Sequence, residues 1–317
     1  MASGSNYQIQ RFLGSGHFGD VYLAHKGGKC FAIKKVVNTD MNTAEQEIKI
    51  LKQVDHEKII KYIDHFMENN ILCIVLEYAD VGTMEKAVRT QNHQEWAVWR
   101  VIAHLSGALD YLHSRRPQIT HRNIKPDNIL GVTAWCNAEN GNRVFWKLGD
   151  FGVTRMLTRE AEEAFYGGEA PGVPTYMGPE VLRDFEAYTA SSDIWSLGCV
   201  IAFYIRKGKH VFNCKDDVLY YRPTMASDMI LNVESTDNYS SSLIQLVCFM
   251  IEVLPVNQYF WLTSVSPIPL FLISSQTMPG RRPTANPIFN MCTSKRCESG
   301  AHRSMIGLDK QNVFPAQ

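Results

Sequence analysis

The chain has 317 residues, room for one large two-lobed domain or two modest ones. Its 32 basic and 32 acidic residues cancel, so nothing global favours nucleic acid or an anionic membrane as a partner. Hydrophobic residues make up 45%, enough for a sizeable core, and the eight cysteines contain no CxxC pair, which excludes a zinc knuckle or a dithiol redox motif.

Residues 1–6 read as a tail with neither a basic start nor an apolar run. No secretory signal is expected, and a cytoplasmic setting, or a nuclear one, is the default. Strands are predicted over Tyr7–Leu13, Asp20–His25, Cys30–Val36, Tyr62–Glu68 and Ile71–Tyr78, separated by Gly or polar breaks. One helix interrupts them. Asn42 and Thr43 can cap it, Gln46 sits at capping-box distance from Thr43, and Ile48, Leu51 and Val54 carry it on. A short join near Glu77–Gly82 follows. From Thr83 the apolar period becomes helical: Trp99, Ile102, Leu105, Leu109 and Leu112 predict a long amphipathic helix. Gly131–Trp146 is a polar, Asn-rich expansion between two apolar motifs. Ile194–Phe203 reads as a buried helix, and Ser240 to Ser242 opens another that runs through Leu243, Leu246, Val247, Met250 and Ile251. Cys30, Cys73, Cys199 and Cys248 lie in apolar runs, where a thiol acts as a small hydrophobe.

Val253–Gly280 holds no charge and no His, but carries Pro255, Pro267, Pro269 and Pro279. Prolines near its middle argue against a membrane span, so an insert or a loop packed on the helical half is expected. The abrupt change in composition suggests sequence foreign to the fold, such as a translated intron.

Chemistry concentrates in a few stretches. G-S-G-H-F-G-D-V at 14–21 offers glycines that let a backbone approach phosphates; alone, it could equally be a Gly-rich hairpin. No helix follows Gly19, which argues against a dinucleotide fold. Lys34, in F-A-I-K, is either an edge lysine reaching for water or a phosphate anchor paired with Glu47 on the next helix.

These stretches join an ordered set: Glu47 in E-I-K-I-L, H-R-N-I-K-P-D-N at 121–128, D-F-G at 150–152, G-P-E at 178–180, D-I-W-S-L-G at 193–198 and Arg282 in R-R-P-T-A. Over residues 7–290 the chain resembles the eukaryotic protein kinases of the Ser/Thr type. The string K-L-G-D-F-G is similar to that of NIMA-related kinases, but six residues leave the subgroup open. The resemblance implies an α+β, two-lobed fold. A small β-rich lobe with one helix covers about 7–78, a hinge about 77–82, and a larger, mainly helical lobe about 83–290. The uncharged insert spans about 253–280, and 291–317 are expected as a disordered tail.

By the same resemblance the protein binds Mg-ATP and moves the γ-phosphate to Ser/Thr of a protein substrate. Gly14, Ser15, Gly16 and Gly19 cover the phosphates. Lys34, held by Glu47, contacts them. Asn128 and Asp150 supply oxygen ligands for Mg²⁺. Val21, Ala32 and Leu130 sandwich adenine, Leu76 is the gatekeeper, and Glu77 to Ala79 pair with adenine through their backbone. Leu51, Tyr62, His121 and Phe151 form a spine between the lobes, with Gly152 completing D-F-G. Arg122 meets a phosphate on the 153–171 segment if Thr154, Thr158 or Tyr166 is modified; Glu160, Glu162, Glu163 and Glu169 are an unmodified alternative partner or a solvated loop. Glu180 and Arg282 form a buried ion pair, Asp193 braces the loop at 121–128, and Lys125 in that loop favours Ser/Thr over Tyr.

Two departures stand out. Asn123 occupies the position of the acid that orients the substrate hydroxyl, and an amide cannot serve as a carboxylate base. Val173 stands where a Thr hydroxyl normally bonds that acid and the loop lysine. Gly178 replaces the usual Ala, at a cost mainly in backbone entropy. The alternative expectation is therefore a pseudokinase: a nucleotide-binding scaffold or allosteric partner of another protein that transfers nothing.

Overall fold

The computed structural model describes residues 6–16, 19–37, 41–88, 93–136, 141–156, 173–184, 187–231 and 239–252. The N-terminal part is one antiparallel sheet, built from β1 (Gln8–Gly16), β2 (Gly19–Lys26), β3 (Lys29–Val36), β4 (Tyr62–Glu68) and β5 (Ile71–Glu77) in the order β1-β2-β3-β5-β4. β3 therefore lies in the middle. Lys34 is a central-strand residue, and the edge-lysine reading is ruled out. β1 extends to Gly16 because Gly14, Ser15 and Gly16 stay in register with Val21, Asp20 and Gly19.

α1 (Met41–Leu51) crosses one face of the sheet. It begins before Asn42 and Thr43, so both lie inside the helix instead of capping it. Ala44, Ile48 and Leu51, at i, i+4 and i+7, are the stripe that buries against the sheet. The opposite sheet face carries a small separate cluster of Ala24, Ile33, Cys73 and Val75, closed by Tyr7, Phe31 and Phe66. Cys73 and Cys199 are buried as expected, but Cys30 is exposed near the β2–β3 turn.

The second half is mainly helical. α2 (Glu95–His113) buries Val98, Val101, Ile102, Leu105, Leu109 and Leu112, and the helix Ala190–Ile205 is buried on nearly every side. Trp195 in that helix stacks on Phe212, with centroids 5.9 Å apart and Tyr221 edge-on to both rings. Ser240 caps the helix Ser241–Met250 by accepting from the Leu243 N–H at 3.4 Å. One apolar core runs continuously from Ile48 and Leu51 through Ile129 and Phe151 to Trp195 and Met250, joining the two lobes.

Within the polar expansion at Gly131–Trp146, the described residues belong to a β-ribbon. β8 (Ile129–Cys136) pairs antiparallel with β9 (Gly141–Leu148) from Ile129↔Leu148 to Cys136↔Gly141, and the short β6 (Gly82–Thr83) pairs with β8. Among the described residues, no helix is long and apolar enough to cross a membrane. The uncharged stretch 253–280 and the expected tails at 1–5 and 291–317 lie outside the described residues.

Candidate active site

The register of the sheet gathers one set of side chains on one face. Val21 pairs with Lys34, Lys34 lies two residues from Ala32, and Ala32 pairs with Leu76. Directly paired residues, and residues two apart, share a face, so all four point to the same side. Lys34 Nζ there donates to both Glu47 oxygens, at 2.8 and 2.9 Å, and to Asp150 Oδ1 at 3.2 Å. Lys34 and Glu47 are both buried. Burial alone would lower the Lys34 pKa, but Asp150 and Glu47 outweigh it and hold the ammonium above its ordinary value. Burial likewise opposes ionisation of Asp150, and Lys34 reverses the effect, keeping that carboxyl below its ordinary value. The triad thus ties β3, α1 and the D-F-G turn together by charge.

Gly19 has φ +138°, and a Cβ there would lie 1.9 Å from the Lys35 carbonyl oxygen. Only glycine lets β2 leave the loop so close to β3. Gly14, Ser15 and Gly16 lie in the β1 arm of that hairpin, while positions 17 and 18 fall outside the described residues.

β7 (Ile119–Thr120) pairs with β10 (Arg155–Met156) and delivers the loop that follows. Asp193, fully buried at the start of its helix, accepts from the backbone N–H of His121 (2.9 Å) and Arg122 (3.0 Å), from Tyr188 Oη (2.7 Å) and from His113 Nε2 (2.9 Å). Arg122 takes φ +69° inside this brace. Its guanidinium donates to Thr120 Oγ1 at 3.2 Å and lies over the Tyr188 ring. His121 meets Phe151 edge-on at 4.9 Å, and Leu51, Tyr62 and Phe151 share the continuous core, Gly152 completing the turn. Thr154 is fully buried and donates to the His121 carbonyl at 3.2 Å, which removes it as an accessible modification site. Thr158, Tyr166 and the acidic run at 160–169 lie outside the described residues.

Asn123 is buried and sits between the loop and D-F-G. Its Nδ2 donates to Asp150 Oδ2 at 2.9 Å, its N–H to His121 Nδ1 at 3.3 Å, and its carbonyl accepts from Asn128 Nδ2 at 2.7 Å. The Asn128 amide is thereby oriented with Oδ1 as its acceptor end. Asn128 Oδ1 and the Asp150 carboxylate are hard oxygen donors of the kind Mg²⁺ takes, so the residues present fit that ion. Lys125 opens the 3₁₀ turn Pro126–Asn128, its carbonyl accepting from Asn128 N–H at 2.9 Å. Val173 is partly exposed and apolar, and brings no hydroxyl to this network.

The join between the lobes is held by residues that motif reading did not single out. Lys147 Nζ bridges both Glu77 oxygens at 2.7 and 2.8 Å. The Glu77 N–H donates to the Lys61 carbonyl at 2.9 Å, which leaves the Glu77 carbonyl as the backbone group at this position not used in that contact. Asp80 accepts from the Thr133 N–H at 2.7 Å, and Val81 N–H donates to Gly131 O, beside Leu130, while Gly82 N–H donates to Ala79 O. Lys147 was visible only as part of K-L-G-D-F-G. Its signal was the period-2 alternation of β9, which puts it opposite Leu130. Tyr188 and His113, which share Asp193, carried no motif signal at all.

Glu180 accepts from Ser192 Oγ at 3.0 Å, while Arg282 lies outside the described residues. At Gly178, a Cβ would meet the Glu180 carboxylate at 2.5 Å. The glycine therefore leaves room for the Glu180 side chain, beside the mainly entropic cost expected of it.

The family model described as "Protein kinase domain" matches residues 7–259. The chain is 29% identical over 266 residues to a probable serine/threonine-protein kinase nek3 of Dictyostelium discoideum, covering 80% of this chain and 22% of that protein. It is 34% identical over 218 residues to the serine/threonine-protein kinase nekl-2 of Caenorhabditis elegans, covering 62% of this chain and 56% of the relative. Against the mouse serine/threonine-protein kinase Nek5 it is 28% identical over 320 residues, covering 96% of this chain and 45% of that protein. The chain thus spans less than two thirds of the length of each of these curated relatives.

Proposed function

The chain belongs to the protein kinase family, of the eukaryotic Ser/Thr kind, and we propose on that footing that it binds ATP between its lobes and transfers the γ-phosphate slowly to protein Ser or Thr. The observation that carries this reading is the buried Lys34–Glu47–Asp150 cluster beside Asn123 and Asn128. Lys34 is the cation available to the phosphates. Gly14, Ser15, Gly16 and Gly19 supply backbone N–H groups, and Val21, Ala32, Leu76 and Leu130 supply the apolar walls for the base. Mg²⁺ held by Asn128 and Asp150 would neutralise charge on the moving phosphoryl group. The protein's own share is positioning, which supports transfer without a base at a reduced rate.

A second reading, a nucleotide-binding scaffold for a protein partner, is favoured by one specific contact. The Asn123 amide is spent on Asp150, so it is not positioned to orient a substrate hydroxyl. Val173 adds no hydroxyl in compensation. Both readings share the nucleotide site, and a thermal shift tests it: Mg-ATP is expected to raise the melting temperature of the parent, and Lys34→Met to abolish that rise. No rise in the parent sinks the site itself.

A further inference from the structure

Both oxygens of Asp150 are engaged by protein donors: Oδ1 by Lys34 Nζ at 3.2 Å, and Oδ2 by Asn123 Nδ2 at 2.9 Å. The amide orientation is dictated, because the reverse would set two acceptors against each other. Asn123 is also fixed through its backbone, its N–H on His121 Nδ1 and its carbonyl under Asn128 Nδ2. The donor to Asp150 is therefore preformed and buried.

An aspartate at 123 would change the balance in two ways. It would bring a second carboxylate against Oδ2 with no proton to donate, a clash that a bridging cation relieves. It would also add a charge to a cluster in which Lys34 already faces both Glu47 and Asp150. With Asn123 that cluster carries one net negative charge, and with aspartate it would carry two. Every added negative charge opposes the approach of phosphates and raises the demand for a metal.

We infer that the Asn123 amide takes the place of a divalent cation at Asp150, so that this pocket binds a nucleoside triphosphate carrying no metal. The inference rests on the nucleotide-binding reading of the same site and specifies the ionic form of the ligand. Mg²⁺ can still enter when it displaces the amide from Oδ2, but binding does not wait for it.

ATP titrations followed by thermal shift, on the full chain, test this in buffer with EDTA and in buffer with Mg²⁺. For the parent, the apparent affinity in EDTA is expected to stay within about threefold of that in Mg²⁺, while Asn123→Asp loses about tenfold or more in EDTA and regains it with Mg²⁺. Asn123→Ala, which removes the donor without adding charge, is also expected to bind ATP more weakly than the parent in EDTA, and it serves if the aspartate variant fails to fold. A parent that responds to ATP with Mg²⁺ but not with EDTA overturns this inference alone. A parent that responds in neither buffer overturns the nucleotide reading with it.

Discussion

Asn123 and Lys34 decide most of what this site can do, and each makes its own demand on the fold. Lys34 is the cation shared by two carboxylates, one of them deeply buried, so deleting its charge strands them. Lys34→Met is expected to cost about 3–5 kcal/mol in urea unfolding, the range for breaking a buried pair from one side. A loss near zero would mean that Glu47 turns out to solvent and the cluster is not structural. That Lys34 meets Glu47 was legible in the sequence, because the motifs fix the order and spacing of the residues that gather here. The Asn123–Asp150 hydrogen bond was not legible. Spacing shows that an acid is missing, but only geometry shows what the amide does in its place. Lys147 and Tyr188 escaped for a related reason: a lysine or tyrosine on a strand or before a helix has many ordinary uses, and its partner lies far away in sequence.

At the scale of elements, the strands followed directly from alternation: four of the five needed adjustment by at most one residue at either end, and β1 runs on to Gly16. The start of α1 did not follow. Asn42 and Thr43 have the chemistry of caps, yet the helix begins at Met41, since burial of Ala44, Ile48 and Leu51 decides its extent more than local propensity does. The β8–β9 ribbon was hidden by its polar composition, because a two-stranded ribbon does not require a continuous apolar face to register its backbone. Ser240 was read correctly because a cap is a local event. Ser240→Ala is expected to destabilise by about 1 kcal/mol, lowering the melting temperature by roughly 2–4 °C. An unchanged melt would show that neither the cap nor the contact of the same hydroxyl with Glu95 contributes to stability. Lys147→Ala tests the join: it is expected to weaken ATP binding, measured by titration calorimetry, while leaving the core intact, since Lys147 fixes the Glu77 side chain that anchors the hinge.

For the whole molecule, pH dependence follows from histidines that folding buries wholly (His121) or in part (His56 and His93). His121, His56 and His93 are each held below the ordinary imidazole value of 6.5, burial being the largest cause in every case. The unfolded chain then binds more protons as pH falls below 6.5, so stability is full above that value and erodes beneath it. Melting temperature is expected to rise from pH 5 to pH 7.5, and a flat profile would mean that these rings reach solvent in the folded state. Asp193 and Asp150, held below the ordinary carboxyl value by His113 and Lys34 against the cost of burial, extend the loss to lower pH. The two lobes share one core, and Phe151 of D-F-G and Ile194, Trp195 and Leu197 of D-I-W-S-L-G are part of it, so those motifs carry packing as well as chemistry. The family match ends at residue 259, inside the uncharged stretch. The most direct measurement is transfer of radiolabelled γ-phosphate to a generic basic protein, comparing the parent with Asn123→Asp at saturating Mg-ATP. A slow parent rate and a gain of about 10²-fold or more in the variant, enlarged further by Val173→Thr, is the expected result. Equal rates in parent and variant would contradict the assignment of the missing acid as the limit on transfer.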